Sequence, residues 1–287
     1  MLNYTENYFT NPDGLKQFYR DYNYAPPKAP TVLCMPGLTR NSRDFSEIAE
    51  HLATTCRVIC VDQRGRGLSA WDPDPSRYRP NVYVADMMAL LAHLKVSKVI
   101  AFGTSLGGLM TILISALHPG TLIGAIINDI GPVVDPAGII RIKSYVGKGK
   151  PPTTWAEAVK IVKGANTGVY PKFTELDWDA LTQKLYRLEG DVPVQLYDPA
   201  ISQNFENTSD QSAPDLWGVF STLYTIPVVT LRGALSDILS DATLREMVHK
   251  HPDLIPVTVA DKGHVPMMTE PECIAAIDIL IKKCRQT

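Results

Sequence analysis

Five consecutive residues, Gly103-Thr104-Ser105-Leu106-Gly107, constrain this chain more than any other stretch. They separate an apolar β-like run, Val96 to Phe102, from a helix-like run, Gly108 to Leu117. A serine at such a strand-to-helix corner is held in a strained backbone conformation with its hydroxyl above the sheet, and the flanking glycines remove side chains that would clash there. The N–H of Leu106, at the opening of the helix, can then face an anionic oxygen. Alone the pattern says little, because it fixes two glycines in a chain that carries 19. Order gives it weight: Asp237 and then His264 follow the serine, each just behind its own apolar strand-like run.

Around this corner, short β-branched or aromatic runs alternate with longer helical patterns, which argues for parallel strands joined by crossover helices. Tyr4 to Phe9 and Lys16 to Tyr22 flank the turn cluster Asn11-Pro12-Asp13-Gly14 and read as an initial hairpin. Further strands are expected at Thr31 to Met35, Arg57 to Val61, Leu122 to Asn128, Ile226 to Leu231 and Ile255 to Val259. Helices are expected at Asp44 to Ala53, Val82 to His93, Asp241 to His249 and Pro271 to Cys284. From about Gly131 to Tyr224 the alternation fails, and helix-like pieces such as Trp155 to Val162 and Trp178 to Leu188 lie among proline and glycine punctuation. This predicts a helical insertion over 132–224 in a core made of 1–131 and 225–287.

Composition removes several function classes. The 287 residues suffice for one large core without metals or disulfides. A net charge of −2 leaves no basic footprint for nucleic acid. Cys34, Cys56, Cys60, Cys273 and Cys284 are odd in number and form no Cys-x-x-Cys pair, so they read as buried thiols of a reducing compartment. No basic-then-apolar leader opens the sequence and no apolar run is long enough for a membrane span, so a cytoplasmic protein that binds no membrane is expected. Asn3-Tyr4-Thr5 and Asn207-Thr208-Ser209 match a glycosylation pattern, which carries no meaning in that compartment.

Four motifs together resemble the α/β-hydrolase superfamily: Met35-Pro36-Gly37-Leu38, Asp62-Gln63-Arg64-Gly65-Arg66-Gly67-Leu68-Ser69, the serine corner, and Gly263-His264-Val265-Pro266. The resemblance implies an α/β fold with a mostly parallel eight-stranded sheet flanked by helices and a helical cap inserted after strand 6. It implies Ser105 as nucleophile, His264 as base and Asp237 as the acid that orients the imidazole, with Asp129, one strand earlier, as the alternative. The backbone N–H groups of Leu38 and Leu106 would form an oxyanion hole. Pro36 departs from the family, where a histidine usually precedes this glycine. Gly65-Arg66-Gly67 lacks a third glycine and a phosphate-binding lysine and reads as a structural turn.

Arg40 is a candidate for contacting a substrate carboxylate, and Trp155, Trp178 and Trp217 for the apolar walls of a pocket. The other histidines, His51, His93, His118, His249 and His251, read as surface residues, and no metal or cofactor is expected. The leading function is a serine hydrolase acting on an ester or lactone of a small, fairly apolar substrate through an acyl-enzyme. Cleavage of a carbon–carbon bond in a ring-fission diketone by the same residues is the rival chemistry, and a non-catalytic small-ligand-binding relative is the rival class. A serine at position 105 argues against relatives that attack with a carboxylate. Oligomeric state is not legible.

Overall fold

In the computed structural model, which describes residues 3–206 and 215–285, the strand-like runs assemble into one eight-stranded sheet with helices on both faces. The Asn207-Thr208-Ser209 pattern lies outside the described residues. Antiparallel strands β1 (Thr5–Thr10) and β2 (Lys16–Tyr22) form the hairpin at one edge. There follow β3 (Thr31–Met35), α1 (Ser46–Leu52), β4 (Arg57–Val61), α2 (Pro80–His93), β5 (Val99–Thr104), α3 (Leu106–Leu117) and β6 (Leu122–Asn128). After a long excursion the sheet resumes at β9 (Val228–Gly233), then α9 (Asp241–Lys250), β10 (Leu254–Val259) and α10 (Pro271–Cys284). The sheet order is β1-β2-β4-β3-β5-β6-β9-β10, parallel throughout except where β2 meets β1 and β4.

Alternation along each strand sends side chains to two separate cores. Leu33, Ile59, Ala101 and Ile127 face Met87 and Leu90 of α2 and Ile112 of α3. Their neighbours Val32, Val58, Ile100 and Ile126 face Ile48 and Leu52 of α1 and Ile277 and Leu280 of α10. Burial on both faces explains why these strands read as continuous apolar runs rather than as alternating ones. All five cysteines are buried in this scaffold. Among the described residues no helix is long and apolar enough to cross a membrane, and no group of three or more metal-ligating side chains occurs.

Between β6 and β9 lie α4 (Pro136–Tyr145), α5 (Trp155–Ala165), α6 (Glu175–Leu185), β7 (Tyr186–Glu189), β8 (Val192–Gln195), α7 (Gln203–Glu206) and α8 (Trp217–Phe220). The sequence periodicity predicts a helix over Trp178 to Leu188, but α6 stops at Leu185 and the chain turns at Gly190, φ 61°, into a two-stranded hairpin. A small core of this segment's own gathers Ala158, Val162, Tyr170, Trp178 and Leu181.

One histidine departs from its sequence reading: His251 is 3% exposed. Its Nε2–H donates to the Leu223 carbonyl at 3.0 Å and its Nδ1 accepts from the Asp253 N–H at 3.0 Å, so both ring nitrogens are used by a neutral imidazole.

Candidate active site

Ser105 sits between β5 and α3 with φ 51° and ψ −111°, a conformation that costs a non-glycine residue about 1–3 kcal/mol. Its surroundings over-determine it. The Ser105 N–H donates to the Asn128 carbonyl at 2.9 Å, and its own carbonyl accepts from the Leu109 N–H at 3.0 Å. Gly103 and Gly107 make the crossing possible: a β-carbon on Gly103 would stand 2.1 Å from the Gly107 carbonyl oxygen, and one on Gly107 would stand 1.9 Å from that of Met35. Strand and helix therefore pack backbone against backbone beneath the serine.

The Ser105 Oγ lies 2.8 Å from Nε2 of His264, and Nδ1 of that ring lies 2.7 Å from Oδ2 of Asp129. The sequence-based preference for Asp237 as the acid is corrected here. Asp129 follows β6 directly, is fully buried, and takes φ 58° with its N–H bonded to the Leu231 carbonyl, which turns the carboxylate towards the imidazole. Its Oδ1 accepts from the Gly233 N–H at 2.9 Å, and its Oδ2 also accepts from the Ser236 hydroxyl at 2.6 Å. The loop after β9 thus supplies a hydroxyl to Asp129 and no carboxylate to the ring. Asp237 instead accepts two hydrogen bonds from Arg141 of α4, at 2.5 and 2.8 Å. Burial pushes the Asp237 carboxyl up, but the Arg141 hydrogen bonds and charge, with help from His264, outweigh it and hold the group below the usual carboxylate range.

An alcohol against one imidazole nitrogen, with a buried carboxylate on the other, can pass the alcohol proton to the ring while the carboxylate fixes the tautomer and stabilises the imidazolium. Of the two N–H groups expected at an oxyanion hole, that of Leu106 belongs to the residue after the serine, and Leu38 lines the same cavity as Ser105. Leu106 is the first residue of α3, so its N–H has no carbonyl one turn earlier to bond. The Leu38 N–H makes no protein hydrogen bond among the described residues, and the Leu38 carbonyl is pulled the other way by Arg66 Nε at 2.7 Å. Arg66 is itself fully buried with its guanidinium 4.6 Å from the Tyr83 ring centroid. The Gly65-Arg66-Gly67 turn is structural, as its sequence suggests.

A cavity of about 610 Å³ opens above Ser105 and His264. Its aromatic lining is Tyr145, Tyr170, Tyr186 and Tyr197, not the tryptophans expected from sequence. Trp178 is buried in the core of the inserted segment, Trp155 donates its indole N–H to Asp179 at 2.6 Å, and Trp217 packs edge-on against Phe220. Arg40 does reach the cavity, but its Nε and Nη2 are held by Asp44 at 2.6 and 2.8 Å. Sequence reasoning missed Tyr170 and Arg141, because no local spacing marks a residue that a distant fold element brings to the site. Tyr170 donates to the Val265 carbonyl at 2.9 Å, and the Gly263 N–H donates to the Val169 carbonyl at 2.7 Å, so the inserted segment clasps both sides of His264. Burial pushes the Tyr170 phenol up to about 12, so it stays a donor at neutral pH.

Residues 32–276 match the profile of the alpha/beta hydrolase family. A 3-hydroxybutyrate-oligomer hydrolase of Cupriavidus necator is 33% identical over 274 residues, covering 92% of either chain. A 2-(acetamidomethylene)succinate hydrolase of Mesorhizobium japonicum is 28% identical over 245 residues, covering 85% of this chain and 84% of the relative. The crystal structure of an alpha/beta hydrolase from Novosphingobium aromaticivorans superposes with a TM-score of 0.93 at 39% identity, covering 99% of both chains.

Proposed function

The chain belongs to the alpha/beta hydrolase family and is a hydrolase, and from that premise we propose that it cleaves a small carboxylic ester through an acyl-enzyme on Ser105. The observation that carries this reading is the unbroken relay from the Ser105 hydroxyl through His264 to Asp129, at 2.8 and 2.7 Å, opening into a cavity. In the forward step Ser105 Oγ attacks the ester carbonyl and gives its proton to His264 Nε2. The Leu38 and Leu106 N–H groups stabilise the oxyanion, and the protonated ring then delivers its proton to the departing alcohol. Water, deprotonated by the same ring, releases the acid and restores the serine. Splitting one hard displacement in two lowers the barrier of each part.

The name of one relative supports the ester class. It is named for hydrolysing oligomers of 3-hydroxybutyrate, and hydroxy acids join through ester bonds. In this reading residues 132–224 serve as a cap over a core of 1–131 and 225–287, with the tyrosines of the cap shaping the acyl pocket. The five buried thiols fit a reducing cytoplasm. A fluorophosphonate probe tests the assignment: the wild type is expected to take up one adduct on Ser105 and to hydrolyse p-nitrophenyl butanoate. Ser105→Ala should lose both, with activity down by about 10⁴-fold or more. Labelling or turnover that survives Ser105→Ala would overturn it, and a preference for dienoate diketones over every ester would shift the reading to carbon–carbon cleavage.

A further inference from the structure

Among the described residues the charged side chains lining the cavity, the His264 imidazole aside, are Arg40, Arg141, Lys148 and Lys150, and none of those lining residues is a carboxylate. This one-sided lining occurs in a chain whose net charge is −2. Lys148 and Lys150 are exposed on the loop after α4, at the rim. The two arginines lie deeper, their side chains 21% and 24% exposed.

Arg40 and Arg141 are built alike. Each offers its Nε and Nη2 side to an aspartate, Asp44 or Asp237, and neither aspartate lines the cavity. A side-on pair of this kind fixes a guanidinium in orientation and leaves its Nη1 outside the aspartate pair, and Arg141 also hydrogen-bonds the Tyr145 side chain, so an anion would meet guanidinium and phenol together. The stem of Arg40 and the nucleophile share Gly37 as a neighbour: the Arg40 Cγ and the Ser105 Cβ stand 3.3 and 3.7 Å from where a β-carbon on that glycine would be. Tyr145, another lining residue, feels the charge of both. Burial raises its phenol, and the charges of Arg141 and Arg40 both oppose that rise. Two oriented cations and a phenol at one end of a cavity, with lysines at its mouth, make a place where an anion is drawn in and held.

We propose that this end of the cavity is a carboxylate subsite, and that the substrates are short esters carrying a free carboxylate beyond the scissile bond. The subsite rests on the serine-hydrolase reading for its reaction, but not for its binding. Asp44 and Asp237 act here as positioning residues that hold the arginines ready, while Arg141 and Arg40 meet the anion.

Binding and turnover separate the two claims. Calorimetry on Ser105→Ala with monomethyl glutarate and with dimethyl glutarate is expected to give an affinity about tenfold or more higher for the monoanion. With Arg40 still in place, that preference should fall to within about threefold in Ser105→Ala/Arg141→Gln, and equally in the triple variant that adds Asp237→Asn, which removes the stranded aspartate charge. Equal affinity for the two glutarates in Ser105→Ala overturns the proposal, whatever the kinetics. In the wild type, mono-p-nitrophenyl glutarate should exceed p-nitrophenyl butanoate in kcat/KM by a similar factor, falling to within about threefold in Arg141→Gln. Monoanion-selective binding without any esterolysis or fluorophosphonate labelling would leave the subsite standing and sink the serine-hydrolase reading instead.

Discussion

At the scale of single residues, the fate of a side chain is set by what its backbone position lets it touch. Asp129 and Asp237 look equivalent along the chain, since each follows an apolar strand. Asp129 comes immediately after its strand in a left-handed conformation, whereas Asp237 stands four positions past Gly233, on a loop that carries it over to Arg141. Nothing local in the sequence encodes that swing, so the chain alone does not separate the two aspartates. His251 shows the same logic in stability. Burial lowers its pKa from 6.5, the Nε2 bond to the Leu223 carbonyl and the Asp253 charge oppose that less strongly, and protonation of Nδ1 would break the bond it accepts from the Asp253 N–H. A histidine with a depressed folded pKa takes up its proton more readily when unfolded. Its stabilising contribution is therefore complete above about pH 6.5 and is lost as the pH falls towards the folded value. The melting temperature should drop between about pH 7 and 5.5. In His251→Gln it should start lower at pH 7.5 but fall less steeply, and an identical slope in the two proteins would contradict this account.

At the scale of elements, most strands were legible because parallel strands buried on both faces leave uninterrupted apolar runs. Thr31–Met35, Arg57–Val61 and Leu122–Asn128 stand where their residues predict. The hairpin of β7 and β8 was not. Its four-residue strands carry too few alternations to compete with the helical periodicity that precedes them. The cavity's tyrosines were equally hidden, since they come from α4, the α5–α6 loop and this hairpin region, while the tryptophans that catch the eye serve packing. The clasp of Tyr170 on Val265 gives these elements a functional consequence. Tyr170→Phe removes one hydrogen bond, worth about 1 kcal/mol, and leaves the stacking on Phe173, 4.3 Å between ring centroids, in place. It should lower kcat/KM on p-nitrophenyl butanoate about three- to tenfold with the fold intact by circular dichroism. A change of less than 1.5-fold would show that the inserted segment does not hold the His264 loop.

Over the whole molecule, the sheet is what brings 105, 129 and 264 together. Neighbouring strands β5 and β6 end side by side, so Ser105 and Asp129 emerge at the same edge, and the loop after β10 brings His264 back over them. The inserted segment then closes a space whose charged lining is cationic and whose floor is the serine. The central claim is that Asp129, not Asp237, completes this relay. Single-turnover acylation by p-nitrophenyl acetate compares Asp129→Asn with Asp237→Asn most directly. The account predicts that Asp129→Asn slows acylation by about 10³- to 10⁴-fold, because an amide leaves the imidazole in the wrong tautomer, while Asp237→Asn costs less than about tenfold. The reverse order, or equal losses, would contradict it.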